Sequence, residues 1–182
     1  VVHAFNYVIR GQSVDTFTNS PPSVLPYVDE VQIVTHSAST FYDMSGIQVL
    51  KGPQGTLFGR NATGGAVLYT TAKADDQFGG YVSARYGNYQ ALHLEGAVNL
   101  PVGEKVALRV AGSYNHGGGF VKDYYTGEQY GDLDQKSIRA TLRLSPTEQF
   151  TNTTVAQYTR EHGTNTPYEA WSAPACNFGP FA

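Results

Sequence analysis

Beyond about residue 79 the chain alternates apolar and polar positions with the period of two that an extended strand requires. In residues 91–100, Leu92, Leu94, Val98 and Leu100 share one face with Gly96, while His93, Glu95 and Asn99 take the other. Residues 105–114 repeat this, with Val106, Leu108, Val110 and Tyr114 opposite Lys105, Arg109 and Ser113. Residues 137–144 set Ile138, Ala140, Leu142 and Leu144 against Ser137, Arg139, Thr141 and Arg143. The pattern predicts strands over 89–100, 104–114, 135–145 and 149–160, after a first one from about Gly79. Strands of soluble domains average about 5–6 residues, whereas a tilted strand crossing a bilayer takes about 9–11. The predicted runs belong to the longer class. The connections at 101–103 and 146–148 are tight; those at 116–134 and 162–182 are long, polar and rich in Gly and Tyr.

Residues 1–78 follow another pattern. Short strands are predicted over 5–9 and 24–34, with Asn19-Ser20-Pro21-Pro22 breaking the polar stretch between them. A strand over 47–50, a glycine-rich run over 51–65 and a closing strand over 66–71 complete a small mixed α/β unit. The expected division is therefore 1–78 and 79–182.

Composition supports a β protein: Gly 20 and Tyr 13 stand beside Cys 1, Met 1 and Trp 1. The net charge is −3, with no block of Lys or Arg, which argues against a nucleic-acid surface. Mean hydropathy is −0.30, and no window approaches the run of about 20 apolar residues that a membrane helix needs. Barrel strands escape that test because they average lipid-facing and lumen-facing positions. Cys176 has no partner for an internal disulfide, and the histidines at 3, 36, 93, 116 and 162 lack metal-ligand spacing. No nucleophile–base pair or carboxylate pair stands out, so neither an enzyme nor a cofactor site is expected. The glycine-rich run contains neither Gly-x-x-x-x-Gly-Lys-Ser/Thr nor Gly-x-Gly-x-x-Gly, which argues against a phosphate loop.

That run reads Gln48-Val49-Leu50-Lys51-Gly52-Pro53-Gln54-Gly55-Thr56-Leu57-Phe58-Gly59-Arg60-Asn61-Ala62-Thr63-Gly64-Gly65-Ala66-Val67-Leu68. It resembles the plug signature of TonB-dependent outer-membrane receptors; Ile9-Arg10-Gly11 and Tyr27-Val28-Asp29-Glu30-Val31 resemble two further plug marks. The resemblance implies a partial plug domain followed by the first strands of a transmembrane antiparallel β-barrel, incomplete here, in the bacterial outer membrane. Departures occur at Gln48, where Glu is usual, at Lys51 for Arg, at Glu30 for Gly, and at Leu68 in a strand commonly Ile-Asn-Ile.

By the same resemblance, Arg10, Gly11, Asp29, Lys51, Gly52, Pro53, Gly55, Gly59, Arg60, Gly64 and Gly65 serve plug architecture and seating, with Arg10 and Lys51 pairing to barrel-wall carboxylates. Candidate ligand contacts are Gln12, Asp15, Phe17, His36, Phe41, Tyr42, Tyr124, Tyr125 and Trp171. The implied function is TonB-dependent import of a scarce nutrient, a ferric siderophore first and carbohydrate or cobalamin as alternatives, energised by TonB with ExbB and ExbD. The energy-coupling box is expected to precede Val1 and some seventeen further strands to follow. A passive porin or structural outer-membrane barrel with a folded appendage and a soluble β-rich binding module are the competing classes.

Overall fold

The computed structural model describes residues 7–13, 23–33, 40–58, 62–124 and 126–164. The first unit is a four-stranded sheet of β1 (Val24–Val28), β2 (Val31–Gln32), β3 (Met44–Lys51) and β4 (Gly65–Thr71), ordered β2-β1-β4-β3, with a single helical turn α1 (Gly55–Phe58). The second is a five-stranded antiparallel sheet of β5 (Gly79–Tyr86), β6 (Leu92–Pro101), β7 (Val106–Gly117), β10 (Leu133–Thr147) and β11 (Phe150–Gly163), with the hairpin of β8 (Val121–Lys122) and β9 (Gln129–Tyr130) rising from the long connection between β7 and β10.

In the small sheet β1 runs parallel to β4, and β3 pairs antiparallel on the other side of β4. Leu25, Tyr27, Ala62 and Ala66 form one core cluster, packed by Leu50, Phe58 and Leu68. The Tyr27 hydroxyl donates to the Phe58 carbonyl at 2.7 Å, which ties α1 to the sheet. The strand expected over 24–34 is instead two strands joined by a turn in which Asp29 (φ 47°) and Glu30 (φ 70°) take the left-handed conformation. Asp29 holds that turn. Its carboxylate accepts from the Thr71 backbone N–H at 2.9 Å and hydroxyl at 2.6 Å, and its own N–H donates to the Tyr69 carbonyl at 2.9 Å. Of the strand expected over 5–9, residues 5 and 6 lie outside the described part; Ile9 makes only a bridge to Gln12.

The five long strands fall where the alternation placed them; β6, β7, β10 and β11 end one to three residues later than expected, while β6, β7 and β11 also begin one to three residues later. The alternation is inverted relative to a soluble sandwich. Apart from the small Ala97, Ala107 and Ala111, the buried positions of these strands are polar: Asn99, Ser113, Gln135, Ser137, Arg139 and Thr141. The apolar positions face away, with Ile138 53 % and Val82 88 % exposed. Register aligns that outward face into rows: Gly80, Val98, Val110, Ala140 and Ala156 in one, Leu100, Leu108, Leu142 and Thr154 in the next. From Ile138 to Leu144 every outward residue of β10 is uncharged. At about 3.4 Å per residue, strands of 12–15 residues such as β7 and β10 reach beyond the roughly 25 Å apolar band of a membrane barrel even when tilted.

Placing lysine at Val110, in the middle of the outward apolar rows, is expected to destabilise the complete protein in lipid vesicles by about 2–4 kcal/mol. Urea unfolding of wild type and Val110→Lys in vesicles measures this; equal midpoints would show that the face does not meet hydrocarbon.

Candidate functional site

The two sheets meet at Tyr42 and Asp43, immediately before β3. Tyr42 is 2 % exposed and packs on Ala97 of β6 and Ala111 of β7, two inward positions small enough to admit a ring. The Ser137 hydroxyl donates to the Tyr42 hydroxyl at 3.1 Å, and the Arg139 guanidinium lies 4.5 Å from the ring centroid. Burial pushes the Tyr42 phenol up from its ordinary range, against the opposing pull of the Ser137 hydrogen bond and the Arg139 charge, so the ring stays neutral.

Asp43 carries the charge of the seam. Its φ of 51° turns the chain so that the carboxylate reaches the wall. Arg109 grips both oxygens, Nε donating to Oδ2 at 2.8 Å and Nη2 to Oδ1 at 2.6 Å, which is the bidentate fork that lysine cannot form. Arg139, 1 % exposed, stands 3.6 Å from the same carboxylate and donates to the Tyr42 and Asp43 carbonyls at 2.7 and 3.0 Å. The Asp43 N–H donates to Glu95 Oε1 at 2.9 Å, and Glu95 also accepts from the Tyr81 hydroxyl. One dipeptide of the small unit therefore engages β6, β7 and β10, and through Glu95 it is linked to Tyr81 of β5.

Below it a second fastening fixes the connection between the sheets. Asn99 Nδ2 donates to the Asp75 carbonyl at 2.9 Å and the Gln77 carbonyl at 2.5 Å, its Oδ1 accepts from the Asp75 N–H at 3.2 Å, and Asp76 pairs with Arg143. On the other side, a cavity of about 710 Å³ opens between the small sheet and β10–β11, lined among others by Glu30, Lys73, Arg139, Thr141 and Gln157.

The glycine-rich segment closes on itself through Gly52 N–H to Gly64 O at 3.0 Å and Gln54 N–H to Ala62 O at 2.8 Å. Gly65 is confined to glycine, because its φ is 146° and a Cβ would collide with the Leu50 carbonyl. Gly52 (φ 98°) brings its turn beside Arg10 Nη1, 3.9 Å from where a Cβ would stand, while Pro53 and Gly55 lead into α1. Arg10 and Gly11 form the tight turn between Ile9 and Gln12, whose backbones exchange hydrogen bonds of 3.0 and 2.9 Å. Arg10 and Lys51 are exposed, and no described carboxylate pairs with either. At the described seam the polarity runs the other way, with the acid on the small unit and the cations on the long sheet.

Among the candidate ligand contacts, Phe41 packs against Tyr69 with ring centroids 4.3 Å apart and the rings tilted by 36°, Tyr42 is occupied within the seam, and Gln12 and Tyr124 are exposed on separate turns. Asp15, Phe17, His36, Tyr125 and Trp171, with Gly59, Arg60 and Cys176, lie outside the described residues. Asp43, Glu95, Arg109 and Arg139 were missed as a site by sequence reasoning, although the arginines stood on the polar face of their strands. Among the described residues no group of His, Cys, Asp and Glu could hold a metal ion.

Asp43→Asn leaves the buried Arg139 and the largely buried Arg109 without their anion and is expected to cost about 3–5 kcal/mol. A double-mutant cycle of Asp43→Asn with Arg109→Gln, read by thermal unfolding of the complete protein, should show strong coupling; additive losses would mean that the pair is not the fastening.

Residues 3–66 match the model of the TonB-dependent receptor plug domain. The chain is 30 % identical over 149 residues to the pesticin receptor of Yersinia enterocolitica, an alignment spanning 78 % of this chain and 21 % of that protein. The ferric yersiniabactin uptake receptor FyuA of Yersinia pestis superposes with a TM-score of 0.69 at 23 % identity, covering 76 % of this chain and 22 % of that one. The siderophore receptor PiuA of Acinetobacter baumannii superposes with a TM-score of 0.70 at 16 % identity, covering 87 % and 21 %. The chain thus spans about a fifth of the length of these relatives. A plug model over residues 3–66, a long sheet with its polar face inward, and these likenesses lead to one assignment: the chain belongs to the TonB-dependent receptors of the bacterial outer membrane and carries a plug domain with the barrel strands that follow it.

Proposed function

We propose that the receptor to which this chain belongs actively imports a ferric siderophore across the outer membrane, drawing energy from the inner-membrane proton gradient through TonB with ExbB and ExbD. The observation that carries this reading is the seating of the plug on the wall by Tyr42 and Asp43, since a passive pore has no need of a fastened stopper. The proposed division is a plug over 1–78 and a wall from 79 onward. Support for the cargo class comes from the relatives, which include receptors for ferric yersiniabactin and pyoverdine.

In this reading the chain makes and breaks no covalent bond. Arg10 and Lys51 seat the plug against carboxylates of the wall, and the glycine turns at Gly52, Gly64 and Gly65 allow its backbone to pack closely. Gln12, Asp15, Phe17, His36, Phe41, Tyr124, Tyr125 and Trp171 are the proposed cargo contacts. Tyr42 is assigned to seating rather than to cargo because its ring is already enclosed by the wall.

Cells carrying the complete receptor should accumulate ⁵⁵Fe delivered as ferric siderophore, and collapse of the proton gradient should abolish that uptake. Uptake that survives the collapse would mean passive diffusion. Lys51→Glu should admit large antibiotics that the wild-type receptor excludes; unchanged exclusion and unchanged import would remove the seating role of Lys51.

A further inference from the structure

At the rim from which the long connections rise, the short turn between β5 and β6 is held in an unfavourable conformation. Its two central residues, Tyr89 (φ 57°) and Gln90 (φ 56°), are both left-handed. Asn-Gly is the pair favoured in such a turn, and the side chains carried here cost free energy that glycine would not. The turn nevertheless closes, with Gly87 N–H donating to the Ala91 carbonyl at 2.7 Å and Ala91 N–H to the Asn88 carbonyl at 3.1 Å. Something outside the turn must hold it.

What holds it is the next connection. Gly118 N–H, one residue past the end of β7, donates to the Tyr89 carbonyl at 2.7 Å, and a Cβ at Gly118 would stand only 3.0 Å from that oxygen. The Tyr89 and Phe120 ring centroids are 6.2 Å apart. Phe120 donates its N–H to the Tyr130 carbonyl at 3.0 Å, and its ring covers Gly131, where a Cβ would meet it at 2.7 Å. Only glycine, at φ 85°, fits beneath that ring. The contacts then pass to the residue after β11. Gly131 N–H donates to Thr164 Oγ1 at 2.9 Å, Thr164 N–H donates to Asp132 Oδ1 at 3.0 Å, and the Thr164 hydroxyl donates to the same oxygen. The hydroxyl bond above all holds the Asp132 carboxyl below its ordinary range, so it stays ionised at neutral pH. Three connections distant in sequence are thereby joined end to end.

Resting on the reading of this rim as the cargo-facing end, we propose that the three connections form one pre-set cap, latched through Gly118 on the Tyr89–Gln90 turn and through Thr164 on Asp132. Tyr124, 92 % exposed just beyond β8, is then offered to cargo on a fixed platform. Closure of the β8–β9 hairpin as a separate lid would require both latches to break. The left-handed pair makes the coupling detectable: released from Gly118, the turn relaxes and does not close again unaided.

The test is amide hydrogen exchange on the complete receptor in detergent, without cargo, read by mass spectrometry over residues 87–91 and 117–121 with β6 and β7 as internal reference. Both segments of the wild type should exchange slowly. Asp132→Ala should speed both about tenfold, although no hydrogen bond of Asp132 reaches either segment among the described residues. Thr164→Val, which replaces the hydroxyl by a methyl, should act in the same direction. Adding Tyr89→Asn/Gln90→Gly to Asp132→Ala should return residues 87–91 to slow exchange and leave 117–121 fast, because that turn closes by itself. Faster exchange confined to residues 131–132 and 164 in both variants, or no rescue by Asn-Gly, would overturn the proposal. A rise shared by β6 and β7 in Asp132→Ala reports loss of the wall, and Thr164→Val then decides. A wild-type receptor that imports no siderophore would remove the cargo reading and leave these exchange rates to decide the cap by themselves.

Discussion

A single carboxylate enclosed by two guanidiniums organises this molecule. Asp43 cannot be left in a low-dielectric seam alone, and neither can Arg109 or Arg139; each charge is tolerable only because the others are there. That requirement decides which face of the long sheet is covered. Once the polar face lies beneath the plug, period-two geometry sends Leu94, Val98, Leu108, Val110 and Ile138 to the opposite side, where only hydrocarbon satisfies them.

The plug meets the same constraint from within. Its own core is small, two clusters around Leu25 and Val24, and its backbone is bent by left-handed residues at Arg10, Asp29, Glu30 and Asp43. Such turns cost free energy that a free domain of this size would struggle to offset. Hydrogen bonds from Thr71 to Asp29, and from the wall to Tyr42 and Asp43, hold them in place. The stopper is therefore shaped partly by its own sheet and partly by the surface on which it sits. The cavity beside the seam has a mixed lining, with Lys73, Arg139 and Gln157 set among Phe58, Leu68 and Val155, because it is bounded by both the small sheet and the inward face of the wall.

The amino-acid sequence by itself determined the strands and their two faces. Alternation over 91–100, 105–114 and 137–144 survives folding intact because a strand has no freedom to turn alternate side chains to one side, and strand length separated a membrane wall from a soluble sandwich. The glycine-rich run from Lys51 to Gly65 was legible too, since φ values such as that of Gly65 leave few residue choices. Tertiary structure alone decided the partnerships. Asp43 and Arg109 are 66 positions apart and Tyr42 and Ser137 are 95 apart, separations across which no local pattern carries information. It also split the segment 24–34 at Asp29–Glu30, because the long-range hydrogen bonds to Thr71 and Tyr69 outweigh the strand preference of the flanking valines. Periodicity is a property of one chain segment, whereas a buried ion pair is a property of two surfaces that must first be brought together.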